Sequence, residues 1–314
     1  MLTIVGLIAG LVGLFFGGNW LVKGASLLAR SFGISPLVVG LTVVALGTST
    51  PELLVSVSAA LQGSPDIAIG NVLGSTIANI GLILGFSGLI YPISVSVRLV
   101  KRQIPIMVVS AIIVLVMFQD QEVNRIDGML LLIGLATFIG YTIYGSVYEN
   151  REQVSKPEVQ ADTVEINRLK EAGRLLIGIV VLMIGSQLTV DNATELARSF
   201  GVSELVIGVT LIAVGTSLPE LITSIIAATR QESDIAIGNV VGSNIFNLLG
   251  ILGATALVEP INVSRQVLTV DALVMIGFTI LVVPFVLDRK LGRLESGFLL
   301  LCYAAFTYYA IVAG

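Results

Sequence analysis

One segment of this chain is written twice. Gly47-Thr48-Ser49-Thr50-Pro51-Glu52 returns as Gly215-Thr216-Ser217-Leu218-Pro219-Glu220, and Asp66-Ile67-Ala68-Ile69-Gly70-Asn71-Val72 returns as Asp234-Ile235-Ala236-Ile237-Gly238-Asn239-Val240, both at an offset of 168 residues. From Leu28 to Ser96 the copy runs without a gap, and about 40 of the 69 positions are identical. This is an internal repeat, so the fold must accommodate the same unit twice. Each copy also sets one glutamate in an otherwise apolar run. In a membrane such an acid is costly and marks function by default.

A membrane is what the composition demands. Only 12% of the residues are charged and 55% are hydrophobic, whereas soluble domains carry about 25% charged residues. The apolar runs are long enough for spanning helices, and ten are expected: 2–28, 35–61, 66–91, 103–119, 126–148, 173–198, 204–229, 234–258, 267–287 and 295–313. They lack period-2 alternation and are too long for barrel strands, so the expected fold is an all-α integral membrane protein. The first run has no basic flank and no small-residue cleavage site, and it reads as a spanning helix and not a signal peptide. The single cysteine, Cys302, excludes disulfides and thiolate metal clusters. With no histidine in the chain, a proton relay would have to use carboxylates. A net charge of −4 without a basic tail argues against nucleic acid.

The basic residues set an expected orientation. With the N-terminus outside, fourteen of the seventeen Lys and Arg residues fall in inner loops, against Arg125, Arg198 and Arg265 in outer ones, a positive-inside bias. Both termini are then outside. Five helices per half is an odd number, so the second half enters from the opposite face. The repeats are inverted about an axis in the membrane plane, as in secondary transporters, whose substrate site lies near the midplane. The expected organisation is a first repeat over 1–148, a polar cytoplasmic linker over 149–172 and a second repeat over 173–314, with helices 2, 3, 7 and 8 broken.

Proline chemistry points to the site. Pro51 removes a backbone donor and biases Thr50 away from helical geometry, and Pro219 repeats this. A break is expected to free carbonyls such as those of Ala45 and Ala213, which at membrane depth must line a cavity or find a partner. A cation is one such partner. Thr48 and Glu52 are spaced i, i+4, as are Ser75 and Asn79, and Ser243 and Asn247. The candidate set is therefore Ala45, Thr48, Ser49, Glu52, Ser75, Asn79, Ala213, Thr216, Ser217, Glu220, Ser243 and Asn247. Every ligand atom is oxygen, which suits Na⁺ and Ca²⁺ over zinc or copper, and Mg²⁺ less well because it dehydrates reluctantly. Two glutamates carry −2, which one Ca²⁺ cancels. Replacement by three Na⁺ would leave +1, so such an exchange would be electrogenic.

At these residues the chain resembles the cation/calcium exchanger superfamily, and within it the sodium/calcium exchangers of prokaryotic type. The two Gly-Thr-Ser-x-Pro-Glu motifs and the two Gly-Asn-Val-x-Gly-Ser-x-Ile-x-Asn motifs are similar to that family's paired repeats. The resemblance implies four clustered cation sites between helices 2, 3, 7 and 8. Glu52 and Glu220 would bridge several of them, with Thr48, Ser49 and Ser75 serving one side and Thr216, Ser217 and Ser243 the other. It also implies that helices 1 and 6 slide past this core. Some relatives, including potassium-dependent exchangers, carry an aspartate where this chain has Asn247, so the amide argues against K⁺ dependence. The implied activity is Na⁺/Ca²⁺ antiport in the cell membrane. Its partners are the ions and the lipid bilayer, it needs no cofactor or enzymatic step, and a monomer is the expected unit. A proton-coupled Ca²⁺ antiporter is the nearest alternative, and a cation channel ranks below it.

The remaining polar residues have plainer expected roles. Asn71 and Asn239 read as helix–helix hydrogen bonding, Asp66 and Asp234 as caps of helices 3 and 8, and Lys23 as snorkelling to the inner surface. The glycines of helix 1 (Gly6, Gly10, Gly13, Gly17 and Gly18) suit close packing.

Overall fold

A computed structural model describes residues 2–154, 166–201 and 213–313. Its elements, in chain order, are α1 (Leu2–Phe32), α2 (Pro36–Thr48), α3 (Thr50–Leu61), α4 (Pro65–Ile90), β1 (Ile93–Ser94), α5 (Leu99–Asp120), β2 (Glu122–Val123) and α6 (Arg125–Val154). After residues 155–165 come α7 (Arg168–Ser199), α8 (Ala213–Thr216), α9 (Leu218–Thr229), α10 (Ser233–Val258), β3 (Ile261–Asn262), α11 (Val267–Val286), β4 (Lys290–Leu291) and α12 (Arg293–Ala313). Among the described residues, eight helices are long and apolar enough to cross a membrane, and α2 with α3 makes a ninth, bent by 45°. The first part of the seventh expected span, over 204–212, lies outside the described residues. Its continuation, α9, is apolar but short.

Burial sorts the helices into a core and a lipid-facing shell. The spanning window of α10 is wholly buried and that of α4 mostly so, while α1, α6, α7 and α12 turn large apolar side chains outward. A helix that is hydrophobic all round belongs inside, and outward-facing Leu, Ile and Phe on such a scale need lipid against them. The α1 glycines do pack: α1 lies along α7, and a Cβ at Gly17 would come 2.7 Å from the Leu182 backbone nitrogen. Only residues without a side chain allow backbones this close.

Two expectations need correcting. Helices 3 and 8 of the sequence reading, α4 and α10, run on without a break. Pro65 sits in the first turn of α4, where its missing N–H costs no hydrogen bond, and α10 contains no proline. Each helix instead widens into a π-helical stretch, Asn79–Leu84 and Phe246–Ile251, a distortion that keeps the backbone bonded and gathers at functional positions. The second correction concerns Asp66 and Asp234. Ser64 and Glu232 occupy the caps, and the aspartates lie in the first turn, where they favour the positive helix end through charge. The polar 149–172 stretch is also partly helical, since α6 continues to Val154 and α7 starts at Arg168. Its centre, 155–165, is not among the described residues.

Two short antiparallel ladders tie the halves together. β1 pairs with β4 through Ile93↔Leu291 and Ser94↔Lys290, and β2 pairs with β3 through Glu122↔Asn262 and Val123↔Ile261. Since 93 maps to 261 and 123 to 291 at the repeat offset, each ladder is the counterpart of the other.

Candidate cation site

Both copies of the duplicated motif meet at the centre of the bundle. Pro51 and Pro219 each fall in the first turn after a bend at Ser49 or Ser217, and the helix resumes with Glu52 or Glu220 in its opening turn. Proline is tolerated there because the first N–H groups of a helix have no intrahelical acceptor. Glu52 and Glu220 are each 1% exposed. Their bonds cross between copies. Ser49 Oγ donates to Glu220 Oε1 at 2.8 Å, and Ser217 Oγ donates to Glu52 Oε1 at 3.2 Å.

Around this exchange lies a set of polar atoms without partners. Glu52 Oε2, Glu220 Oε2, Asn79 Oδ1, Ser243 Oγ and both amide atoms of Asn247 are buried and make no hydrogen bond. A buried unmade bond costs about 1–3 kcal/mol, more for a charged group, so such a cluster calls for a ligand. All but one of these atoms are oxygens. Ser75 is buried close by on the Asn79 helix, at 4% exposure.

Thr48 and the two motif asparagines hold the frame. Thr48 Oγ1 lies 3.1 Å from the Val44 carbonyl, 3.3 Å from that of Ala45 and 3.2 Å from Asn239 Oδ1, three acceptors for one hydroxyl proton. Asn71 Nδ2 donates to the Glu52 carbonyl at 3.0 Å and Ser56 Oγ at 2.8 Å. Asn239 Nδ2 mirrors this with the Glu220 carbonyl at 3.3 Å and Ser224 Oγ at 3.0 Å. The helix-to-helix role read for both asparagines is therefore seen, and Asn239 adds a bond to Thr48 that sequence reasoning missed.

Ala45 departs from expectation. Its carbonyl is not freed by the break but accepts the Ser49 N–H at 3.0 Å. The reason is arithmetic: Pro51 removes the donor to the carbonyl four residues back, Gly47. In the second copy the Ser217 N–H donates to the Val214 carbonyl at 3.1 Å, and the Gly215 carbonyl receives the Ser186 hydroxyl at 2.8 Å. Ala213 is the first described residue of α8, and its side chain is outside the described set. Thr216 is half-buried. Lys23 is exposed near the end of α1, in line with snorkelling.

A cavity of about 630 Å³ leads toward this site between Pro51, Leu54 and Val55 of α3, Ser186 of α7, and Gly215 and Thr216 of α8. At the corresponding place on the opposite side, Gly18 of α1 is packed against Ile222 and Ile226 of α9.

An oxygen-rich polar cluster buried inside a bundle of apolar helices marks an integral membrane protein, and its donor set suits hard cations. Residues 2–144 and 170–312 match the sodium/calcium exchanger protein family, and the chain belongs to that family. It is 37% identical to the putative antiporter CaxA of Alkalimonas amylolytica, over 96% of both chains. It is 34% identical to the sodium/calcium exchanger MaX1 of Methanosarcina acetivorans, again over 96% of both. Among solved structures, the sodium-calcium exchanger NCX_Mj soaked with Na⁺ and Sr²⁺ aligns with a TM-score of 0.84 at 34% identity, covering 97% of each chain.

Proposed function

We propose that the chain exchanges Na⁺ for Ca²⁺ across the cell membrane by alternating access to the site between Glu52 and Glu220. The carrying observation is the crossed pair Ser49–Glu220 and Ser217–Glu52, which leaves one oxygen of each carboxylate unspent. Thr48, Ser49, Glu52, Ser75 and Asn79 from one copy, and Thr216, Ser217, Glu220, Ser243 and Asn247 from the other, supply the oxygens. Two carboxylates balance one Ca²⁺, so exchange for three Na⁺ moves net charge.

The ladders support ten helices in two inverted repeats. β1 and β2 lie at opposite ends of α5, whose 22 residues span about 33 Å at 1.5 Å per residue. The two ladders therefore sit on opposite membrane faces, and an operation that interchanges them runs in the membrane plane. Positive-inside counting then places both termini outside and the 149–172 linker in the cytoplasm, so the 630 Å³ cavity opens outward.

Purified protein in liposomes, assayed for Ca²⁺ uptake under imposed Na⁺, K⁺ and H⁺ gradients at controlled voltage, tests the reading. Uptake is expected to follow the Na⁺ gradient and the voltage. Uptake driven by a pH gradient alone would replace Na⁺ coupling with proton coupling, and flux without any counter-ion would indicate a channel.

A further inference from the structure

An asparagine offers a cation its oxygen or its NH₂ by a half-turn of the amide, and only one orientation binds. For Asn79 the choice is made outside the repeated motif. Asn79 Nδ2 donates to Asn244 Oδ1 at 2.9 Å, and Asn244 Nδ2 donates in turn to Met107 Sδ at 3.7 Å. Asn244 is fully buried. A thioether accepts but cannot donate, so Met107 takes only the NH₂ end of Asn244. Asn244 must then turn its oxygen toward Asn79. Asn79 spends its NH₂ there, and its Oδ1 is left without any other partner.

The counterpart in the other copy has no such chain. Asn244 stands where the first repeat has Thr76, and the Thr76 hydroxyl donates back to the Val72 carbonyl at 2.8 Å. Asn247, the equivalent of Asn79, is buried with both amide atoms unbonded. Identical in sequence, the two amides differ in whether their direction is set beforehand.

We propose that Asn244 and Met107 are positioning residues that lock the Asn79 amide with its oxygen toward the transported cation, while the Asn247 amide is oriented only by the cation itself. This rests on Asn79 being a cation ligand. Pre-orienting a ligand removes part of the cost of binding, and at saturating cation the ion itself turns the amide. The signature is therefore a change in affinity and not in maximal rate.

The test is Na⁺-driven ⁴⁵Ca²⁺ uptake in liposomes, with half-saturating Ca²⁺ and maximal rate measured separately for wild type, Asn244→Leu, Met107→Leu, Thr76→Val and Glu52→Gln. Loss of one neutral hydrogen bond, worth about 1 kcal/mol, predicts about a fivefold rise in half-saturating Ca²⁺ for Asn244→Leu with the maximal rate kept. Met107→Leu conserves volume and should fold like wild type. It is expected to shift half-saturation in the same direction by about twofold, since sulfur is a weak acceptor. Thr76→Val should leave half-saturation unchanged. An unshifted Met107→Leu, or a Thr76→Val shift as large as that of Asn244→Leu, overturns the proposal. Wild type without Ca²⁺ uptake, or active Glu52→Gln, would instead overturn the functional reading beneath it.

Discussion

The two sides of the site are built from equivalent residues and are closed to different extents. On one side Gly18 of α1 lies against Ile222 and Ile226 of α9. On the other, Ser186 of α7 occupies the position equivalent to Gly18, and a cavity of about 630 Å³ separates it from Leu54 and Val55 of α3. Polar ties accompany the closed side. Ser26 Oγ donates to Glu232 Oε1 at 2.6 Å, Arg230 Nη2 donates to Asn19 Oδ1 at 2.5 Å, and Arg30 approaches Glu232 at 3.6 Å. Their counterparts on the open side are Ser64 and Gln62, and Gln62 bonds back to Ser58 of its own helix at 2.9 Å. The duplicated residues thus meet at one shared site, while the residues at its two rims differ and make different contacts.

The strongest way to break this comparison is at its symmetric centre. Glu52→Gln and Glu220→Gln should each abolish Na⁺-driven Ca²⁺ uptake in liposomes. Near-normal uptake in either would show that the two halves do not share one site. Next in size is the α1–α7 contact. Gly17→Leu would drive a side chain into the Leu182 backbone, and exchange should fall by at least about fivefold if these helices must move relative to the core, since a buried clash costs about 1–3 kcal/mol. Initial rates at wild-type reconstitution levels measure it.

Smaller effects sharpen the difference between the rims. Ser186→Ala removes the hydroxyl on the Gly215 carbonyl and should destabilise by about 1–3 kcal/mol, the cost of a buried acceptor left unmade. A lowered unfolding midpoint in detergent would show it. Smallest is Glu232→Gln. Arg30 is 65% exposed, so this pair contributes only about 0–1 kcal/mol. The expected outcome is a modest rise in accessibility from the closed side, read by thiol labelling of a cysteine introduced at Ile226. Unchanged labelling would remove these ties from any account of why that side is closed.

Much of this molecule is legible in its sequence because the governing rules are local. Apolar run length specifies spanning helices, and proline specifies the bend at Ser49. Repetition at a fixed offset identifies Glu52 and Glu220 as equivalents. The helical reading failed where the rule was carried past its cause: α4 and α10 contain no internal proline and do not break. The carbonyl deprived of its donor is that of Gly47 and not Ala45, which counting four residues back from Pro51 could have shown.

Residue types and their spacing, read along one chain, therefore determined a membrane protein of paired repeats with two buried acids and an oxygen-rich set of polar side chains. Tertiary structure alone decided how these groups are spent. That Ser49 serves Glu220 and not Glu52, that Asn239 reaches Thr48, and that Met107 directs Asn79 through Asn244 are contacts between residues far apart in the chain. No periodicity encodes them. A hydrogen bond depends on distance and direction in space, and those exist only once the two copies have packed against each other.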